Sequence, residues 1–238
     1  AKAVAQYVLS SILLYSAKQK IDFSNLKVGV LGYGFVGKEV VAMLDKLGIS
    51  YLINDPPLEN KIPKNHYGDL KRLLKSDVIT LHVPLEFVGK YPTKNLINRF
   101  ELEQLEPNSL IINTSRGGVI NEEALLDAIS GEKKIWTVID CWINEPQVNE
   151  QLLRSAWLTT PHIAGRTLES KQKAIEIICN QLFEKNRQNI GLLKLEEKKV
   201  TPFKEVKFNK NLSIFFNTII PLEEISKTMS ESFRFDVE

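Results

Sequence analysis

The feature that most constrains this chain is a glycine-rich turn at residues 32–37, which reads Gly-Tyr-Gly-Phe-Val-Gly. Before it, residues 26–31 form a short apolar run that is typical of a buried parallel strand. After it, apolar residues recur at helical spacing over 36–47, and Gly48 follows as a helix stop. A strand, a Gly-x-Gly-x-x-Gly turn and a helix together predict the first unit of a dinucleotide-binding sheet.

Each glycine of the turn has its own physical task in such a unit. Gly32 permits the tight turn, Gly34 lets the backbone approach a pyrophosphate, and Gly37 lets the helix pack close to the strand. The helix N-terminus then offers N–H groups and positive potential to the phosphates. Asp55, 18 residues after Gly37, is expected to bind the adenosine ribose hydroxyls and to repel a 2′-phosphate, which favours NAD over NADP. The alternative is a structural turn with a surface aspartate.

The rest of the chain alternates between strand-like and helix-like segments. Further strands are predicted at residues 50–53, 77–82, 109–113, 134–139 and 157–159. Helices are predicted at residues 3–15, 70–74, 122–129, 168–183 and 222–233. This alternation predicts a Rossmann-type α/β fold, with a doubly wound parallel sheet covered on both faces.

Three residues downstream of the turn are candidate catalytic residues: Arg116, Glu145 and His162. His162 is the natural proton acceptor, because imidazole alone titrates near neutrality without help. Glu145 could hold the imidazole ring and stabilise the imidazolium that forms. Arg116 offers a planar fork to a carboxylate or a developing carbonyl. The phrases that contain them read NTSRGG (113–118), NEP (144–146) and PHIAG (161–165).

Together with a dinucleotide site, this trio predicts hydride chemistry on a small anion. His162 would take the hydroxyl proton while a hydride leaves carbon 2 for the nicotinamide. Each residue alone also fits an ordinary role: Arg116 as a capping or surface arginine, Glu145 as a solvated loop residue, and His162 as a satisfied histidine near a turn.

Two further polar residues end predicted strands. Asp140 follows the strand at 134–139, on the side where α/β sheets bind ligands, so it is expected to face the nicotinamide carboxamide; the alternative is a cap. His82 ends another strand, and a structural or cofactor-lining role is favoured over catalysis.

Composition gives no support for a nucleic-acid-binding, metal-binding or membrane-spanning protein. A net charge of +2 gives no argument for nucleic acid, and 43% hydrophobic residues can form a real core. Two distant cysteines, Cys141 and Cys179, match no metal spacing and fit a reduced cytoplasmic interior. The apolar run at 3–15 is too short to span a bilayer and predicts a helix packed on protein. Because the chain opens with Ala1 on this apolar segment, it is expected to be a piece of a longer protein; a processed terminus is the alternative.

The three phrases, the glycine fingerprint and AVAQYV at 3–8 together resemble the D-isomer-specific 2-hydroxyacid dehydrogenase family over about two thirds of the chain. The resemblance implies catalytic roles for Arg116, Glu145 and His162, NAD as cofactor and a cytoplasmic homodimer. It also implies a substrate-domain segment before Ala1 and a dimerisation domain cut soon after it begins. The implied cofactor contacts are Gly32, Gly34, Phe35, Val36, Gly37, Asp55, Thr114, Asp140 and Gly165.

The implied layout divides the chain into four parts. Residues 1–18 are an inter-domain helix, 19–166 the NAD-binding domain, 167–190 a helix returning to the substrate domain, and 191–238 a linker with a partial dimerisation domain. In the last part, 195–210 is rich in lysine and glutamate, and 212–220 is an apolar β-prone run.

Within the family, the phrases DPP at 55–57, GKYPTKNL at 89–96 and NEPQVN at 144–149 resemble a subgroup that oxidises a phosphorylated four-carbon 2-hydroxy acid in vitamin B6 synthesis. Arg166 stands where that subgroup often has tyrosine, and its basic side chain could meet the substrate phosphate. One alternative is another D-2-hydroxyacid dehydrogenase, such as one acting on 3-phosphoglycerate. A second is an NAD-sensing corepressor, and a third is a fragment that binds NAD without catalysis.

Overall fold

A computed structural model of the chain describes residues 1–167, 170–172, 174–175, 177–178 and 221–232. Its centre is a six-stranded sheet in which every neighbouring pair is parallel. The strands are β1 (Lys27–Leu31), β2 (Ser50–Asn54), β3 (Val78–Leu81), β4 (Leu110–Asn113), β5 (Trp136–Ile139) and β6 (Leu158–Thr159). Their spatial order is β2-β1-β3-β4-β5-β6, which confirms the predicted doubly wound parallel sheet.

Helices cover both faces of the sheet. They are α1 (Lys2–Gln19), α2 (Phe35–Leu47), α3 (Leu70–Leu73), α4 (Arg99–Glu103), α5 (Glu122–Ser130), α6 (Glu150–Ser155) and, as the last described helix, α7 (Leu222–Ser232). Helices α1 and α2 pack together in one hydrophobic layer, and α4, α5 and α6 pack in the other. Successive strand residues point to opposite faces, so Val30 joins the first layer and Leu31 the second.

The predicted strands and the helices at 36–47 and 122–129 all form, with ends that differ by a few residues. Sequence reasoning missed α4 and α6, because helices of 5 and 6 residues are too short for a periodic pattern. Each begins at an asparagine whose side chain accepts a backbone N–H, Asn98 and Asn149. The predicted helix at 168–183 lies mostly outside the described residues, as do Cys179 and the segments at 195–210 and 212–220.

Helix α1 is enclosed by protein along its centre. From Ala5 to Ser16 every residue except Gln6 is buried, so this helix packs on most of its circumference rather than along one stripe. Tyr15 near its end donates a hydrogen bond to the carbonyl of Asn108, 2.6 Å away. Among the helices that the structure describes, none is long and apolar enough to cross a membrane.

The order of the strands creates a crevice at the carboxyl ends of the strands. The connection that leaves β1 runs to β2 on one side, and the connection that leaves β3 runs to β4 on the other side. The two connections therefore diverge at the carboxyl ends of β1 and β3. Open α/β sheets bind ligands at such a switch point. Gly32 lies there with φ +100°, and a Cβ on it would be 2.7 Å from the carbonyl oxygen of His82. Only glycine fits that approach.

Helix α7 packs against β6, the outermost strand on the side of the sheet away from β2. The Thr159 N–H donates a hydrogen bond to Ser226 Oγ at 2.9 Å, and both residues are buried. Leu222 joins the first hydrophobic layer and Met229 the second. The last described helix is therefore integrated into the domain.

Candidate active site

The glycine turn has the geometry that a dinucleotide needs. A Cβ on Gly37 would collide with the carbonyl of Gly32, so the third glycine sets the close packing of α2 on β1. A Cβ on Gly34 would meet no atom of the described residues within 4 Å, which leaves open space beside this backbone. Helix α2 starts at Gly34 without a side-chain cap, so the first-turn N–H groups are available to an anion. These residues fit the pyrophosphate of a dinucleotide.

Asp55 is fixed next to this turn. Its Oδ2 accepts a hydrogen bond from the Tyr33 N–H at 2.7 Å, and its Oδ1 accepts one from the Leu58 N–H at 3.2 Å. A carboxylate oxygen can accept more than one hydrogen bond, so the side chain keeps acceptor capacity for the ribose hydroxyls. The negative charge stands at the end of β2, as the predicted ribose role requires.

The other predicted cofactor residues occupy different surroundings. Phe35 opens α2 with 89% of its surface exposed, whereas Val36 is partly buried against the first hydrophobic layer. Thr114 lies just past β4, with its hydroxyl 3.5 Å from His82 Nδ1. Gly165 lies beside α1, where an added Cβ would be 3.4 Å from Val4. Their contacts with the cofactor stay predictions.

Glu145 and His162 are paired directly. His162 Nδ1 lies 3.0 Å from Glu145 Oε1 and 2.9 Å from Oε2, and both side chains keep about a third of their surface exposed. Burial would raise the pKa of Glu145, but the Trp142 N–H, His162 and Arg166 together hold it below its usual range. An ionised carboxylate only accepts hydrogen bonds, so Nδ1 of the ring carries the hydrogen. Whenever the imidazole is neutral, the lone pair that can accept a proton is therefore on Nε2.

The turn that carries Glu145 is braced from three sides. The Trp142 N–H donates to Glu145 Oε1 at 2.9 Å, and the Ile143 N–H donates to Glu122 Oε1 at 2.8 Å. Gly117 packs so closely against the Trp142 carbonyl that a Cβ would collide with it. Sequence reasoning missed Glu122, whose half-buried carboxyl has a pKa raised by burial. Its only sequence signal was its place in the first turn of α5.

Arg116 sits on a separate turn just past β4. The buried Asn113 side chain closes this turn by donating to the Arg116 carbonyl at 3.1 Å and by accepting from the Ser115 N–H at 3.1 Å. One guanidinium nitrogen donates to the Ser115 carbonyl at 2.6 Å. Within the described part of the chain, no carboxylate forms a salt bridge with Arg116. Arg116 is exposed, and the guanidinium N–H groups that do not bind Ser115 can bind an anion.

The predicted catalytic residues therefore follow three adjacent strands. Arg116 comes after β4, Glu145 after β5 and His162 after β6, and the carboxyl ends of parallel strands share one edge of the sheet. The glycine turn follows β1 at that same edge. Distant parts of the sequence thus meet along one side of the domain.

Asp140 is 1% exposed, and its oxygens have protein donors. Oδ1 accepts hydrogen bonds from the Thr160 hydroxyl at 2.6 Å and from the Ile163 N–H at 2.7 Å, while Oδ2 accepts from the Ala164 N–H at 3.0 Å. The Asp140 carboxylate thus holds the loop that carries His162. A contact with the nicotinamide carboxamide stays a prediction.

A cavity of about 850 Å³ lies between this pair and α7. Glu145, His162 and Arg166 line it together with Ile225 and Met229 of α7. Sequence reasoning predicted the helix at 222–233 but did not foresee that it lines this site. Arg166 is exposed here, and its positive charge helps to lower the pKa of Glu145.

Comparison with known proteins gives the same family as the resemblance of the sequence. The family model "D-isomer specific 2-hydroxyacid dehydrogenase, NAD binding domain" matches residues 8–164. An erythronate-4-phosphate dehydrogenase of Wigglesworthia glossinidia brevipalpis is 40% identical over 192 residues, which are 78% of this chain and 50% of that protein. A second, of Marinobacter nauticus, is 41% identical over 185 residues, which are 76% of this chain and 48% of that protein.

The fold also matches solved structures. An NAD-dependent formate dehydrogenase of Staphylococcus aureus, solved in complex with NAD, has a TM-score of 0.64 at 22% identity and covers 79% of this chain and 63% of its own. The chain spans about half the length of the curated relatives it matches. The family model covers well over half of this chain, and the fold and the glycine turn agree with it. The chain therefore belongs to the D-isomer-specific 2-hydroxyacid dehydrogenases, whose NAD-binding domain model matches residues 8–164.

Proposed function

We propose that this chain is the NAD-binding and catalytic part of an enzyme that oxidises 4-phospho-D-erythronate at carbon 2. The product would be (R)-3-hydroxy-2-oxo-4-phosphooxybutanoate, formed in vitamin B6 synthesis. The name shared by the relatives at 40% and 41% identity supports this substrate. The observation that carries the chemistry is the pair of His162 and Glu145 at the carboxyl edge of the sheet.

In this proposal His162 is the general base. Because Nδ1 is held by the Glu145 carboxylate, Nε2 accepts the proton of the carbon-2 hydroxyl. Glu145 then stabilises the imidazolium, since its depressed pKa keeps it ionised. The bound NAD supplies the hydride acceptor.

Arg116 binds the substrate carboxylate in this scheme. Its fork can form two parallel hydrogen bonds with a carboxylate and fix the orientation of carbon 2. A carboxylate held there also keeps the developing carbonyl next to positive charge. Arg166, which is exposed beside Glu145 and His162, is proposed to bind the substrate phosphate.

The proposal includes the layout of the whole protein. Residues 1–18 connect the NAD-binding domain of 19–166 to a substrate domain, and 167–190 lead back to it. Residues 191–238 supply a linker and the start of a dimerisation domain, of which α7 packs on the NAD-binding domain. The enzyme would be a cytoplasmic homodimer. Light scattering of the full-length protein tests the dimer, and a monomeric mass at working concentration would contradict it.

A substrate panel tests the proposed activity on the full-length protein. NADH formation is followed with 4-phosphoerythronate, 3-phosphoglycerate and unphosphorylated D-2-hydroxy acids. We expect 4-phosphoerythronate to have the highest kcat/KM, and NADP to be a poor substitute for NAD. A preference for 3-phosphoglycerate would keep the family and replace the substrate.

A second outcome would change the class of protein. If NAD binds but no acid reduces it, the alternative of an NAD-sensing binding protein replaces the enzyme. Titration of NAD by tryptophan fluorescence separates this case from a misfolded preparation.

A further inference from the structure

We propose that Tyr7 and Thr160 are positioning residues for His162, acting through Asp140. The inference rests on the proposed function in one respect, namely that His162 is the general base. It adds two hydroxyl groups that sequence reasoning did not select, 153 residues apart in the chain. Both belong to the protein interior and neither is expected to touch substrate.

The loop that carries His162 has an unusual backbone. His162 has φ +53°, in the left-handed region that residues with a side chain rarely adopt. Such a conformation persists only when the surroundings hold it. Here the His162 N–H donates to the Thr160 carbonyl at 3.0 Å, and the next two N–H groups, of Ile163 and Ala164, donate to Asp140. The direction of the imidazole thus depends on where Asp140 lies.

Asp140 is itself held by Thr160. The Thr160 hydroxyl, which is fully buried, donates its hydrogen to Asp140 Oδ1 at 2.6 Å. A hydroxyl has one hydrogen, so the 2.7 Å contact between Thr160 Oγ1 and Tyr7 OH requires Tyr7 to be the donor. Burial raises the pKa of Tyr7, so its phenol stays protonated and can donate.

The result is a directed chain of hydrogen bonds from α1 to the His162 loop. Tyr7 donates to Thr160, Thr160 donates to Asp140, and Asp140 accepts the two backbone N–H groups that follow His162. The Trp142 indole N–H donates to the Thr160 carbonyl at 3.0 Å and ties the same point to the turn that carries Glu145. Thr160 thus connects both members of the His162–Glu145 pair.

The test uses substitutions that remove a hydroxyl and little else, in the full-length protein. Thr160→Val breaks both links and Tyr7→Phe breaks one, while Thr160→Ser keeps the hydroxyl. Since small displacements of reacting groups cost up to about a hundredfold in rate, we expect Thr160→Val to lower kcat roughly tenfold or more and Tyr7→Phe to lower it a few-fold. Thr160→Ser should restore most of kcat, and the Kd for NAD and the KM for substrate should change less than twofold.

Tyr15→Phe is the matched control. It removes a phenolic hydroxyl from the same helix and breaks one hydrogen bond. That bond goes to the Asn108 carbonyl, which lies just before β4, whereas His162 lies after β6 at the other ends of the strands. We expect it to lower stability about as much as Tyr7→Phe and to leave kcat unchanged. Equal kcat for all three hydroxyl-deleted variants and the parent, or an equal loss in Tyr15→Phe, would overturn the positioning role.

A second readout needs no substrate. Hydrogen exchange of the Ile163 and Ala164 amides, measured by mass spectrometry, should be about tenfold faster in Thr160→Val, as expected when a hydrogen bond that fixes their acceptor is lost. Unchanged exchange would overturn the inference. If the full-length protein reduces NAD with no acid, the proposed function fails, and the exchange rates alone decide whether Thr160 holds this loop.

Discussion

Acidification should destabilise this domain through one histidine at the cofactor edge. His82 is only partly accessible to solvent, and burial of its ring lowers its pKa from 6.5 to about 3. Its Nε2 lies 3.0 Å from the Thr80 hydroxyl. In the unfolded chain the ring regains its ordinary pKa. Between pH 6.5 and about 3 the unfolded state therefore binds a proton that the native state does not.

The size of the effect follows from the two pKa values. The contribution of His82 is complete above pH 6.5 and is lost as the pH falls toward about 3, because the native pKa is the lower of the two. One pH unit in this window corresponds to about 1.4 kcal/mol. Lowering the pH from 7 to 5 should thus reduce the free energy of unfolding by about 2 kcal/mol through this residue alone.

Urea denaturation at pH 7 and pH 5 measures this difference, with His82→Gln as the comparison. Glutamine keeps hydrogen-bonding groups near Thr80 but cannot titrate. The contributions of all other titrating groups therefore cancel when the change in the free energy of unfolding of one protein is subtracted from that of the other. The parent should lose about 2 kcal/mol more than His82→Gln on acidification. His66→Gln, which removes a histidine stacked on Tyr51, is the matched control. Parallel losses in the parent and His82→Gln would refute the reasoning.

Three further predictions concern the site in the full-length protein. His162→Ala should lower turnover by roughly a hundredfold or more with little change in the Kd for NAD, and a normal rate would remove this residue from the mechanism. Asp55→Ala should weaken NAD binding and relax the discrimination against NADP, measured as the ratio of kcat/KM for the two cofactors; an unchanged ratio would contradict the ribose role. Arg116→Lys keeps the charge but loses the planar fork, so the KM for the acid should rise and kcat fall, whereas kinetics like those of the parent would show that only charge is needed there.

Local patterns were enough to predict the parts of the fold with strong periodicity. The run before Gly32, the turn and the helix after it carry three independent signals within about twenty residues. Residues Arg116, Glu145 and His162 could be selected because each lies in a compact phrase. Their common position after β4, β5 and β6 followed once the strands were predicted to be parallel.

What the sequence did not reveal depends on long-range contacts. Glu122 binds the Ile143 N–H from 21 residues away, and Tyr7 meets Thr160 across 153 residues. Neither contact produces a repeating pattern in the sequence. A single buried tyrosine, or a glutamate at the start of a helix, also has many ordinary explanations. The left-handed backbone of His162 was also invisible, because histidine carries no general preference as strong as that of glycine for positive φ.

The contact between Ser226 and the Thr159 N–H has a consequence for solubility. A terminal strand of a parallel sheet offers unpaired N–H and C=O groups that can recruit a strand from another molecule, which is a common route to aggregation. At β6 that tendency is reduced, because the strand spans only Leu158–Thr159, and the N–H of Thr159 already donates to Ser226 of α7. Helix α7 therefore covers this edge strand, and its loss would expose β6 to intermolecular strand pairing and would also open the cavity beside Glu145 and His162.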